Sequence, residues 1–367
     1  MSRSLARSLR HALGSFALAA VLAFTAGPAH AQATYTWIAP TSASWSTATN
    51  WSPTRTSPAT DDVLVFDGSV GSANMVLDVS TETIGRLRLQ NGASVSLSAL
   101  PAGSILLQLG GGTGDDLAVP AGCALQVQGG GVSFELRLGA NATGLVSGEL
   151  SLSGVDTRLT ATDTDGLTIA SGAVVTCSSA APPFGTSDLN SVRFLSGSTC
   201  VAGGTGDVFG AVAPAAVVAF EPGSLYRLTA TTPPAMSGRT FANVEVDSPG
   251  LSATAATGAL PCTMDDLTLT AGVLRLHVVD VHVHGDLTLQ GGSVLFDPSG
   301  TQDLWLDGTA PQALELVSGN WTFGTNTHLH IANPAGVTLV NGTLAPSSAT
   351  IEASGSLTLG AGPGALL

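Results

Sequence analysis

The sequence predicts an all-β chain wound as a parallel β-helix, or β-solenoid, and three observations carry that expectation. Beyond Gln32, short runs alternate apolar with polar residues, as in Leu87-Arg88-Leu89, Val95-Ser96-Leu97 and Phe134-Glu135-Leu136-Arg137-Leu138, while the i, i+3, i+4, i+7 spacing of a helix is almost wholly missing. One phrase recurs: Asp266-Leu-Thr-Leu-Thr-Ala-Gly272 returns 20 residues later as Asp286-Leu-Thr-Leu-Gln-Gly-Gly292, and again as Ser356-Leu-Thr-Leu-Gly-Ala-Gly362. That interval suits one solenoid coil. With 45 glycines and only 5% aromatic residues, the apolar content is mainly Ala, Val and Leu, which favours thin strands and tight turns over thick helical cores. Tandem β-sandwiches are the alternative, although sandwiches rarely repeat one phrase at so short an interval.

Residues 1–31 read as a signal peptide. Arg3, Arg7 and Arg10 supply a basic start, Phe16 to Thr25 an apolar stretch, and Ala29-His30-Ala31 the small residues of a cleavage site, so Gln32 would begin the mature chain. The apolar run is too short to span a bilayer comfortably, and no later stretch approaches the roughly 20 apolar residues a membrane helix needs. Cleavage removes three of the 12 basic residues and none of the 26 acidic ones, taking the net charge from −14 to −17. Residues 32–70 read as an N-terminal cap holding Trp37, Trp45 and Trp51, three of the five tryptophans. Such rings could stack on sugars, but clustered at a chain end they read better as a core seal.

Residues 71–367 form the predicted solenoid. Coils of 20 residues cannot bury their own apolar face, but stacked coils share one column of Leu, Val and Ile. The phrase places Leu267, Leu269, Leu287, Leu289, Leu357 and Leu359 inward, and Thr268, Thr288 and Thr358 outward. Roughly 17 coils at about 4.8 Å each would give a rod near ~80 Å long. A longer unit reads as doubled: Pro233 to Met236 with Phe241 to Gly250 parallels Pro311 to Leu314 with His328 to Gly336. The end at Leu366-Leu367 looks bare, so either a cover is missing or the chain is truncated there.

Several chemistries are excluded. There is no lysine, hence no Schiff base and no Walker-type phosphate site, and a pI near 4.6 argues against nucleic acid as partner. Gly110 to Gly114 and Gly203 to Gly206 resemble phosphate loops only in their glycines, without a following lysine or helix. The four cysteines, Cys123, Cys177, Cys200 and Cys262, match no metal knuckle or redox pair. Cys177 with Cys200 is the favoured disulfide, and four buried thiols the alternative.

The histidines form the most suggestive cluster. Asp280, His282 and His284 alternate and would leave one face of a strand together; His328 and His330 form a second such pair. Two imidazoles about 7 Å apart can share a metal given a third ligand from the next coil, but the ordinary reading is a solvated outer face. The doublets Asp61-Asp62, Asp115-Asp116 and Asp265-Asp266 each precede a strand. Neighbours on a strand point to opposite faces, so a doublet is no acid–base pair, and a turn role fits better. Asp163-Thr-Asp165-Gly166 with Asp156 is similar to the start of a calcium loop without its closing glutamate, which leaves calcium the one cofactor to consider.

Thr34-Tyr-Thr-Trp37, Trp45 to Pro53 and Ser57 to Phe66, with the phrases at Val244 to Gly250, Ile331 to Leu339 and Leu357 to Leu359, resemble exported bacterial β-repeat surface proteins. They are similar to autotransporter passengers and the secreted β-solenoids of Bacteroidetes-type bacteria. The resemblance implies a secreted or cell-surface solenoid, structural or adhesive and without catalysis, whose partners are extracellular polysaccharide or surface protein. Residues 361–367 offer neither the barrel nor the sorting domain with which such proteins commonly end. A β-helical protein that binds or cleaves polysaccharide is the alternative function.

Overall fold

Alternating strands of three to six residues expose one apolar side each, and the chain buries these sides by coiling on itself rather than by packing separate sheets. The structure is a computed structural model; it describes residues 32–39, 42–100, 103–110, 114–252, 258–296 and 300–360. The segment read as a signal peptide and the Leu366-Leu367 end lie outside the described residues. Strand pairing is parallel throughout the body, in about 12 turns, so the β-solenoid expected from the sequence is the fold and tandem sandwiches are not.

Each full turn contributes to up to three walls. The first wall is a nine-stranded sheet running from Thr34–Trp37 to Val218–Phe220, and further along the chain this position is taken by a five-stranded sheet from Cys262–Met264 to Ser348–Ile351. The second wall is a 16-stranded sheet that reaches Leu357–Leu359. The third begins with Thr81–Ile84 and Ile105–Leu109, continues in the far halves of Ala124–Leu138 and Glu149–Ala161, and resumes as a three-stranded sheet over Val273–Leu276, Ser293–Phe296 and Asn320–Phe323. The two long strands turn the corner between walls at Gly130 and Gly154, where the pairing register shifts. Gly130 has φ 59°, and a Cβ on Gly154 would stand 2.8 Å from the Gly130 nitrogen, so only glycine fits the corner.

The rung length departs from the 20 residues expected. Leu125, Leu150, Val175 and Cys200 stack in register at intervals of 25 residues, because most turns serve three walls with loops between them. The 20-residue step holds where turns are shortest, from Leu267 to Leu287 and from Leu339 to Leu359. About 12 turns therefore replace the expected 17. The doubled longer unit is not a structural repeat: Asn243–Asp247 lies in the second wall, whereas Thr327–Ile331 lies in the five-stranded sheet.

The inward column follows the phrase. Leu267, Leu269, Leu287 and Leu289 are buried with their threonines half-buried outside. Leu357 is half-buried and Leu359 is 49% exposed, although Leu359 pairs with buried Leu339. That strand is the last described rung, and no further described coil covers its inner side. At the other end, Trp37, Trp45 and Trp51 are buried, with Trp51 edge-on to both partners at 4.9 and 5.2 Å. Their faces are spent on the core, as a seal requires. Trp51–Ser52 runs antiparallel to Thr34–Trp37 and ends the nine-stranded sheet. Buried Arg55 holds this cap together, pairing with Asp62 at 2.7 Å and Glu82 at 2.6 Å.

Cys177 and Cys200 are free thiols rather than the expected disulfide. Val175 is the lateral partner of Cys200, and Ala202 that of Cys177, which makes the two cysteines diagonal neighbours about 7 Å apart at Cα, at the limit of what a bridge can span. The Cys200 thiol, in contact with that of Cys177 and fully buried, is held well above the ordinary thiol range.

Candidate functional site

Three adjacent strands of the five-stranded sheet carry the chemistry. In Asp280–Val283, Gln302–Leu306 and Thr327–Ile331 the buried residues are Val281, Val283, Leu304, Leu306, Leu329 and Ile331. Alternation then sends Asp280, His282, Asp303, Trp305, His328 and His330 to the outside. The register aligns His282, Trp305 and His330 in one row, and Asp280, Asp303 and His328 in the next. The two H-x-H pairs thus stand two coils apart, with Asp-x-Trp-x-Asp of residues 303–307 between them.

The row of rings stacks along the solenoid axis. His282 lies 5.9 Å from Trp305 at an interplanar angle of 7°, and His330 lies 4.0 Å from Trp305 at 12°. Both faces of Trp305 are therefore covered by imidazoles, which removes it as a platform for a sugar ring and leaves its edge. Each histidine pair clasps one aspartate of the middle strand. His282 Nδ1 is 2.7 Å from Asp307 and His284 Nε2 3.6 Å from it; His330 Nε2 is 3.1 Å and His328 Nδ1 3.5 Å from Asp303.

His330 is the most constrained member. Its Nδ1 meets Glu352 at 3.0 Å while its Nε2 meets Asp303. A neutral imidazole has one N–H and one lone pair, so only the imidazolium satisfies both carboxylates. Burial pushes its pKa down, but the hydrogen bonds and charges of Glu352 and Asp303 outweigh this and leave it above the ordinary value.

His284 is placed differently. With Asp265, Gly285 and the turn 307–310 it lines an open groove of about 360 Å³. Its Nδ1 lies 3.9 Å from Asp265 and its Nε2 3.6 Å from Asp307, both beyond hydrogen-bond length. The Asp265 carboxyl is pushed up by burial and by neighbouring Asp266, against the opposing pull of His284. The groove floor is fixed from inside: Gln312 Nε2 donates to the carbonyls of Val283 and Gly285 and its Oε1 accepts from Gly308 N, while Asn333 donates to the same Oε1. Asp265, His284 and Asp307 come from three successive coils and offer an acid, a base and an imidazole to one groove. Among the described residues no three His, Cys, Asp or Glu side chains converge as a metal-ligand set.

The other candidates disperse. In each doublet the second aspartate serves backbone amides: Asp62 accepts from Ala59 N, Asp116 from Thr143 N and Asp266 from Asp286 N. Asp62 and Asp116 are also buried and lie 2.7 and 3.8 Å from Arg55 and Arg86. Asp156 pairs with Arg158, whereas Asp163 accepts from Asn141 N and Asp165 lies 3.8 Å from Arg193, so this acidic group is divided among separate partners. Sequence reading missed Asp303, Trp305, Asp307 and Glu352; the alternation Asp-x-Trp-x-Asp carries the same signal as the histidine pairs, but their alignment depends on coil lengths. No family model matches this chain, and no curated protein or solved structure matches it. Among the described residues no helix is long and apolar enough to cross a membrane.

Proposed function

We propose that this chain is an exported, non-catalytic surface β-solenoid that adheres to extracellular polysaccharide through the outer face at residues 280–307 and 328–330. The observation that supports it is the concentration of imidazoles, carboxylates and one indole edge on three consecutive rungs of a rigid wall, a dense hydrogen-bonding surface suited to sugar hydroxyls. The basic start, apolar stretch and Ala-His-Ala site of residues 1–31 support export. Retention of the mature chain on immobilised polysaccharides tests the reading. We expect binding to at least one acidic or neutral glycan, lost in Asp303→Ala with Asp307→Ala at an unchanged melting temperature. Binding that ignores this double change would overturn it.

A polysaccharide-cleaving reading is favoured by one observation, the Asp265–His284–Asp307 groove with its raised aspartic pKa. Release of reducing ends or unsaturated products from pectin, alginate or xylan, abolished by Asp265→Asn, would select it over adhesion.

A further inference from the structure

The first wall is interrupted once along its length, and the interruption holds a cavity. Strand Val218–Phe220 is the last of the nine-stranded sheet, so its outer edge has no strand partner among the described residues. The next coil returns to this wall at Thr240, which bridges forward to Thr263. Between the two lies a cavity of about 320 Å³ whose lining includes Asn190, Phe209, Ala219, Phe220, Gly238 and Arg239.

Arg239 is 4% exposed, and its guanidinium lies over the Phe209 ring at 4.8 Å. Nη1 donates to Ala215 O at 2.6 Å; Nη2 donates to Ala211 O at 2.7 Å and to Asp207 at 3.1 Å. Its Nε is buried and has no acceptor among the described residues. A buried N–H of a charged group is seldom left unmatched, because nothing replaces the water it lost. Asp207, itself about one-third exposed, engages a single nitrogen of the guanidinium.

We propose that this cavity binds one carboxylate-bearing sugar ring, a hexuronate. The volume sits at the small end of ligand pockets and suits a single ring. Phe209 and Phe220 offer apolar surface to the C–H side of a pyranose, and the unpaired edge of Val218–Phe220 offers backbone donors and acceptors to its hydroxyls. The unspent donor belongs to a buried cation, which selects a carboxylate over a neutral oxygen because charge-assisted bonds are the stronger ones. This site is separate from the histidine face and does not depend on the adhesive reading.

The test titrates the full chain with glucuronate, galacturonate and, as the uncharged control, glucose, followed by ligand-observed NMR and calorimetry. Saturable uronate binding is expected, at least about tenfold tighter than glucose and weaker at higher salt. Ala219→Trp, which fills the cavity from the strand edge, and Arg239→Gln should each abolish it, and His284→Ala should leave it unchanged. Because Arg239 also ties the loop at 207–215, whichever variant retains the native melting transition decides. Absence of saturable uronate binding, equal binding of glucose, or binding that survives Ala219→Trp overturns the proposal.

Discussion

Leu287→Ala measures whether the stacked column carries the stability of the solenoid. Leu287 is 1% exposed and is paired in register with Leu267 below and Leu314 above, themselves 0% and 1% exposed. The change deletes three side-chain carbons; at about 0.8 kcal/mol per buried carbon the transfer loss is about 2 kcal/mol. A cavity contribution adds to this, because backbone ladders to both neighbouring coils hold Leu267 and Leu314 in place and limit collapse. The expected cost is about 3–4 kcal/mol, inside the usual span for buried leucines. Thr288→Ala, on the outer side of the same strand, should cost less than about 0.5 kcal/mol. Leu359→Ala, in the last described rung, should cost less than about 1 kcal/mol because half of its surface is already wet. Urea unfolding followed by circular dichroism gives the three values, and native-state hydrogen exchange shows whether the loss is local to the adjacent coils. Equal effects at Leu287 and Thr288, or none at either, would refute the argument.

Three further outcomes follow from the polar groups. His330 has a folded pKa above the ordinary histidine value of 6.5; its contribution should be complete below the unfolded value and disappear as pH rises through the folded one. NMR titration of its ring should show the raised pKa, and His330→Gln should flatten the pH dependence of stability above 6.5. Asp62→Asn, expected to be nearly neutral if Asp62 only served a turn, should instead cost about 3 kcal/mol by denaturant titration, since it strips a buried partner from Arg55. Cys262, pushed up to about 12 by burial, should resist alkylation at pH 8 in the native state and react on unfolding, read by mass spectrometry.

The sequence by itself determined the wall and its polarity. A period of two with Leu, Val and Ile on one side leaves a strand a single burial register, so the inward positions of Leu267, Leu287 and Val281 and the outward positions of His282 and His330 were legible without coordinates. The turn role of the aspartate doublets was legible for the same local reason, while the burial of Asp62 and Asp116 against arginines was not. Only the tertiary structure decided which outward residues meet. Whether His282 faces Trp305 and His330 depends on how many residues each coil spends on its corners, and those lengths vary between successive rungs with loops that obey no period. The Asp265–His284–Asp307 groove, the offset of Cys177 from Cys200 and the cavity beside Arg239 are all consequences of that stagger. Local alternation fixes which side a residue faces; the summed loop lengths fix its neighbour one coil away.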